Sequence, residues 1–394
     1  MRRVKGLSII ISIFVSLMLI ASPFGIVSLQ FASAQASQAS SDMNNNNNNN
    51  ANSLNVQDIP LEKVHVGDID VAYKMFGKGE PIILLNGAGE DMDAWDPSFL
   101  KELASNHTVI VFDLRGIANT TLGSRSYSFQ QLANDTAGLL DALNIPKADV
   151  MGYSLGSIIS QVFTISHPEK VSRLILVGST CGGNESIPKP PEFLKLLAEI
   201  ANKSLNHIPL SHEELQAAVV APYGENWIRM HPESGQIPEN ITSLQQLRAG
   251  VPPEVLNDQS KIADAWMATN WTGVCDDLAK ITKPTLVITG TDDNVFVPYG
   301  NALIIAGKIP GAWLVQIENA GHAVMVQYPD EISKILNTFL TTTTAQASNA
   351  TSTATAATAA GTNTTTTTTT NTNTTTAGPT MNLTSTPSEA GLIQ

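Results

Sequence analysis

The sequence predicts an α/β domain: a mostly parallel eight-stranded sheet with helices on both faces and one inserted helical lid. Three observations carry this prediction. Short β-branched apolar runs alternate with stretches of helical period, the pattern of a parallel sheet covered by crossover helices. One such run, Ala148 to Tyr153, passes through Gly152-Tyr153-Ser154-Leu155-Gly156 straight into a helical pattern. The alternation then lapses between about Gly183 and Thr272, where nine prolines from Pro188 to Pro253 interrupt helical or irregular sequence, and resumes afterwards.

In chain order, Leu61 to Val66 and Ile69 to Phe76 read as an opening hairpin around Gly67-Asp68. Pro81 to Leu85 is a buried strand running into Asn86-Gly87-Ala88-Gly89. Trp95 to Ser105 suits a helix, and His107 to Asp113 is the next strand, ending in Leu114-Arg115-Gly116. Ser128 is placed to cap a helix that runs to Leu143, because a serine hydroxyl can accept from an otherwise unpaired N–H of the first turn. The strand from Ala148 and a helix from Leu155 to about His167 follow, then a strand over Val171 to Val177. Beyond the lid come a strand (Pro284 to Gly290), a helix (Tyr299 to Ile309), a strand (Ala312 to Ile317) and a helix (Pro329 to Phe339).

Both ends of the 394-residue chain differ in kind from this core. Residues 1–34 carry Arg2, Arg3 and Lys5, an apolar run from Gly6 to Leu29, and Ala32-Ser33-Ala34, the signature of a secretory signal; the run is long enough that an uncleaved N-terminal anchor stays open as well. Residues 35–56 form an Asn- and Ser-rich linker that cannot build a core. Residues 341–394 are dominated by Thr, Asn and Ala and read as a disordered tail, with Asn-x-Thr acceptor sites at Asn349, Asn363, Asn373 and Asn382. Residues 57–340 remain as one globular domain with its lid at about 183–272, and the expected location is secreted or at the cell surface. Net charge is −13 and no basic stripe is present, which argues against nucleic acid or an anionic membrane surface as partner. Oligomeric state is left open. Cys181 and Cys275 are either a disulfide, as an oxidising compartment permits, or two buried thiols. No metal-binding spacing occurs, and no cofactor is expected.

The chemistry gathers around Ser154. A strand turning sharply into a helix lifts the hydroxyl of the corner residue clear of the sheet, with glycines on either side because a Cβ would collide there. A serine needs a base, and the base a carboxylate to orient it. His322 follows the last strand in Gly321-His322-Ala323. Gly290-Thr291-Asp292-Asp293-Asn294 follows the strand before it, also at a C-terminal strand end. Asp293 is preferred as the acid by counting from Gly290; Asp292 is an alternative, and counting back from Pro298 lands on Asn294.

The order Ser154, Asp293, His322 resembles that of the α/β-hydrolase superfamily, and the resemblance covers about Leu61 to Phe339. It implies an oxyanion hole made by the N–H groups of Ala88 and Leu155. The family's His-Gly stands here as Asn86-Gly87, and its Asp-x-Arg-Gly stretch as Asp113-Leu114-Arg115-Gly116, for which the resemblance implies a structural role. A serine at the elbow separates the chain from relatives with an aspartate nucleophile. It is similar instead to serine esterases, lactonases and carbon–carbon bond hydrolases, among them the 3-oxoadipate enol-lactonase and cofactor-free haloperoxidase types.

The function expected is therefore an exported serine hydrolase that cleaves a small-molecule carboxylic ester or lactone through an acyl-enzyme on Ser154. Two other classes stay open: an acyltransferase on the same three residues, and a non-catalytic surface-binding module of the same fold. Trp227, Trp266, Trp271, Met230 and Met267 in the lid suggest an apolar substrate pocket.

Overall fold

The computed structural model describes residues 58–206, 208–237, 251–271, 273–343 and 380–383. The N-terminal signal or anchor and the 35–56 linker lie outside them, as do Asn349, Asn363 and Asn373.

All eight expected strands form: β1 (Glu62–Val66), β2 (Ile69–Gly77), β3 (Glu80–Leu85), β4 (His107–Phe112), β5 (Ala148–Tyr153), β6 (Val171–Val177), β7 (Thr285–Gly290) and β8 (Trp313–Ile317). A ninth was not anticipated. Residues Thr380–Leu383 form β9 and pair in parallel with β8, Leu314 opposite Thr380 and Ile317 opposite Leu383. This corrects the reading of residues 341–394 as a wholly disordered tail, and it places Asn382 within a strand. β8 would otherwise be the sheet edge, with a row of unpaired backbone groups that a further strand satisfies.

The strand order is β1-β2-β4-β3-β5-β6-β7-β8-β9, with only the β1–β2 and β2–β4 pairs antiparallel. Parallel neighbours cannot be joined by a tight turn, so the chain must return across the sheet, and here it does so through helices. From β3 it crosses through α1 (Pro97–Ala104) to β4 on one side, and from β4 through α2 (Phe129–Ala142) to β5 on the other. The strand order thus reverses between β3 and β5, and the loops that leave their C-terminal ends part around a crevice. Ser128 caps α2 as expected, its hydroxyl accepting from the Gln131 N–H at 3.1 Å, an interaction worth about 1 kcal/mol.

β3, β5 and β7 are buried along nearly their whole lengths, because helices cover both faces. On one face α2 and α3 (Leu155–Ser166) pack through Leu132, Leu139, Ile159 and Phe163. On the other, α1 and the helix over 329–343 pack through Phe99, Leu103, Leu336 and Phe339. Arg115 is buried beneath the loop after β4. Its guanidinium grips Asp135 on α2 through two 2.8 Å bonds and Asp68 in the β1–β2 turn at 2.8 and 3.2 Å. These bonds hold the Asp68 carboxyl far below the usual range despite an opposing contribution from burial.

Between β6 and β7 lie α4 (Pro191–Leu205), α5 (His212–Val220), α6 (Glu225–Met230) and α7 (Pro253–Trp266). This insertion has an apolar cluster of its own, including Phe193, Leu210, Leu215 and Val219, into which Phe296 from the loop after β7 inserts. Cys181 and Cys275 are bonded, with Cα atoms 5.0 Å apart. One cysteine precedes the insertion and the other follows it, so the bond ties together its two stems. Of the two readings the sequence left open, the disulfide is the one that forms.

Candidate active site

Three loops at the C-terminal ends of β5, β7 and β8 bring Ser154, Asp293 and His322 together. Ser154 sits between β5 and α3 at φ 53° and ψ −116°, a conformation an L-residue holds only where its surroundings impose it. Gly156 makes the turn feasible: a Cβ there would lie 2.1 Å from the Leu85 carbonyl oxygen. The strand and helix thus close over β3 with backbone against backbone.

His322 Nε2 lies 2.9 Å from Ser154 Oγ, and its Nδ1 lies 2.7 Å from Asp293 Oδ2. Asp293 and His322 are buried, at 2% and 6% exposure, while Ser154 is half-buried and faces open space. The imidazole is held on both sides, by the Tyr153 ring at 5.4 Å and by the Phe296 ring, stacked nearly parallel to it, at 5.4 Å. Gly178, at φ 59°, leaves it room; a Cβ on that residue would come within 2.9 Å of His322 Cε1.

The three acid candidates separate clearly. Asp293 accepts from Val297 N–H at 3.0 Å through its second oxygen, which accommodates the extra residue before Pro298. Asp292 turns to the lid, accepting from Asn226 N–H at 2.8 Å, and Asn294 donates to Asp292 at 3.2 Å rather than meeting His322. The β7–β8 ladder continues past the strand, Thr291 N–H donating to the Ile317 carbonyl at 3.0 Å, so the residues directly after β7 have fixed positions.

Leu155 opens α3, where an N–H has no partner within the helix. Neither that N–H nor the Ala88 N–H is committed to a hydrogen bond among the described residues. The loop bearing Ala88 is braced on both sides. Gly87 N–H donates to Glu90 at 3.0 Å, and Gly89 N–H donates at 2.9 Å to Gln259 Oε1 on α7. Asn86, where the family has histidine, donates its amide to the Asp91 carbonyl, so the substitution leaves the loop tied down. Asp113 fixes the next turn by accepting from Met92 and Asn119 N–H groups, and burial pushes its carboxyl up to about 6.

A cavity of about 670 Å³, counted to its open mouth, adjoins Ser154 and His322. Its walls are mainly apolar, with Ile158, Ile187, Trp266, Met267, Phe296 and Val297 prominent. Of the five lid residues expected here, Trp266 and Met267 are present. The other three are not: Trp227 stacks on His231 at 3.8 Å, Trp271 donates its indole N–H to the Trp266 carbonyl, and Met230 is exposed. Periodicity alone does not say which face of a lid helix turns inward. Lys189 and Gln259 line the same cavity and gave no sequence signal, the first inside Ile-Pro-Lys-Pro-Pro and the second among polar neighbours. Among the described residues no cluster of His, Cys, Asp or Glu could hold a metal ion.

Residues 80–329 match the family model for the α/β-hydrolase fold. The chain belongs to the α/β-hydrolase family. Among the curated relatives of this α/β hydrolase, a poly(3-hydroxyalkanoate) depolymerase of Ectopseudomonas oleovorans is 28% identical, over 66% of this chain and 84% of that protein. A putative carbamate hydrolase of Azorhizobium caulinodans is 27% identical, over 70% and 96%. The structure of Est816, described as an N-acyl homoserine lactone degrading enzyme, superposes with a TM-score of 0.56 at 25% identity, covering 71% of this chain and all of that one. The enol-lactonase of Burkholderia xenovorans, at 21% identity and a TM-score of 0.55, shares the fold, covering 71% of this chain and all of that one.

Proposed function

We propose that this α/β hydrolase is exported and cleaves a carboxylic ester or lactone through an acyl-enzyme on Ser154. The observation that carries the reading is the unbroken chain Ser154–His322–Asp293, at 2.9 and 2.7 Å, facing an apolar cavity. In the first half-reaction Ser154 Oγ attacks the substrate carbonyl as its proton passes to His322 Nε2. Asp293 holds the imidazole with Nδ1–H toward itself and stabilises the imidazolium. The N–H groups of Ala88 and Leu155 receive the oxyanion, where backbone donors of fixed position supply their largest contribution. The tetrahedral adduct collapses, breaking the bond to the leaving oxygen, which takes the proton from His322. Water then attacks the acyl-serine with His322 as base, releasing the acid and restoring Ser154.

Relatives named for poly(3-hydroxyalkanoate) and for N-acyl homoserine lactones support an ester or lactone as the bond cut. The apolar N-terminal run and the Cys181–Cys275 disulfide both support export, since such bonds persist in oxidising compartments.

The test is hydrolysis of a short-chain p-nitrophenyl ester series and simple lactones by the full-length chain, beside Ser154→Ala. Turnover that falls by at least about 10⁴-fold in the variant is the expected result. No turnover by a folded wild-type protein, or turnover that survives Ser154→Ala, would overturn the reading.

A further inference from the structure

Among the described residues lining the cavity, Lys189 and His322 are the ones with ionisable side chains other than hydroxyls, and burial lowers the Lys189 ammonium to about 8. Lys189 is not a loose surface lysine. The preceding segment is clamped by Asn301 on α8 (Gly300–Lys308), whose side-chain oxygen accepts from Ile187 N–H at 2.9 Å and whose amide donates to the Ile187 carbonyl at 3.0 Å. Pro188, Pro190 and Pro191 flank Lys189 and restrict its backbone. The ammonium donates one hydrogen bond, to the Phe296 carbonyl, and lies 5.8 Å from the centroid of the Phe296 ring.

That ring is the one stacked on His322. The ammonium and the catalytic imidazole therefore both lie against the Phe296 ring and both line the apolar cavity. An ammonium has three N–H donors, and the described residues use one. Lys189 forms no ion pair with any described residue. Asp293 is engaged with His322. Asp264, on α7, is near enough to favour the charge on Lys189, yet its own carboxyl is pushed up to about 7 by burial and its Oδ2 has no hydrogen-bond partner among the described residues. A half-buried cation with so partial a counter-charge gains from a ligand that completes it.

We propose that Lys189 is the specificity-determining residue of this cavity and pairs with a carboxylate on the substrate, so that the preferred ester or lactone bears an anionic group that reaches Lys189 beside the Phe296 ring. This rests on Ser154 being the acyl acceptor for the reaction, while the recognition step itself does not require turnover. An apolar chain spans the wall formed by Ile187, Trp266 and Phe296, and the charged end replaces its lost hydration with the two unused donors of Lys189. The cavity thereby rejects neutral substrates of equal length, which leave the ammonium unpaired.

The test uses the full-length chain and two esters matched in acyl length, the mono-p-nitrophenyl ester of adipic acid and p-nitrophenyl hexanoate. Wild type should favour the adipate ester in kcat/KM by roughly 10- to 100-fold, the range of a charge-assisted hydrogen bond. That ratio should collapse in Lys189→Met and largely survive in Lys189→Arg. In parallel, calorimetry on Ser154→Ala should show monomethyl adipate binding more tightly than dimethyl adipate, and the difference should vanish in Ser154→Ala/Lys189→Met. Absence of turnover with both esters would defeat the hydrolase reading but not this one, which the calorimetry then decides. Wild-type indifference to the carboxylate, or a preference that persists without Lys189, would overturn the proposal.

Discussion

The sheet and the lid of this molecule position their functional groups by different means. On the sheet side, backbone geometry does the positioning. Ser154 is set by the tight β5–α3 turn, Asp293 by the continued β7–β8 ladder, and His322 by a loop whose Ala320 carbonyl accepts from the Asp292 N–H at 2.8 Å. On the lid side, side chains reach down to the core: Gln259 to the Gly89 N–H, Phe296 up into the lid's apolar cluster, Lys189 to the Phe296 carbonyl. Backbone devices leave glycines and strand ends in the sequence, whereas side-chain bridges leave almost no trace. The division also suggests that the chemistry belongs to the sheet and the choice of substrate to the lid.

The sharpest way to break that division is Asp293→Asn. An asparagine there favours the wrong imidazole tautomer, and kcat on a p-nitrophenyl ester should fall by about 10⁴-fold. The neighbouring Asp292→Asn weakens contacts to the Asn226 N–H and the Asn294 amide, neither of which touches His322, and should stay within about 10-fold of wild type. Equal losses in both would show that the acid has been misassigned.

The lid's attachment can be tested through its stems. Removing the disulfide with Cys181→Ser/Cys275→Ser frees a loop of 94 residues' separation. Chain-entropy arguments put the loss of stability at about 4 to 5 kcal/mol, to be read from denaturant midpoints. A midpoint unchanged from wild type would show that packing alone holds the lid.

Gln259→Leu addresses the bridge between the two regions. It leaves the Gly89 N–H without its acceptor and loosens the loop that presents Ala88, so kcat should drop by roughly 10-fold while KM for a short ester moves less. A change confined to KM would place Gln259 with the substrate instead.

Stability should also depend on pH. Burial raises the Asp264 carboxyl to about 7, so the folded protein holds this proton more tightly than the unfolded chain. The stability it contributes is complete below the ordinary carboxylate pKa near 4 and is lost as pH rises through 7. Asp264→Asn should therefore stabilise the protein at pH 8 relative to wild type and make little difference at pH 4, as thermal melts across that range would reveal. A constant offset at all pH values would contradict the burial argument.

Much of the architecture was legible because alternation of apolar runs and helical periods reports directly on burial. The β5–Ser154–α3 turn was legible because Gly156 has no tolerable substitute against the Leu85 carbonyl. The choice among Asp292, Asp293 and Asn294 was legible from the strand side, since ladder pairing extends to Thr291 and fixes the two aspartates after it. β9 was not. Thr380-Met381-Asn382-Leu383 lies in a Thr- and Asn-rich tail without alternation, and only the exposed edge of β8 makes it a strand. Nor was Lys189, whose setting in Ile-Pro-Lys-Pro-Pro reads as solvated surface. Its place in the cavity depends on Asn301, more than a hundred residues later.

The central claim is that Ser154 is made nucleophilic by His322, and a covalent probe tests it most directly. The full-length protein would be treated with a fluorophosphonate and the adduct located by mass spectrometry, beside His322→Ala. The account predicts one adduct, on Ser154, formed at least about 10³-fold more slowly in the variant. Labelling at another residue, or labelling of Ser154 at the same rate without His322, would contradict it.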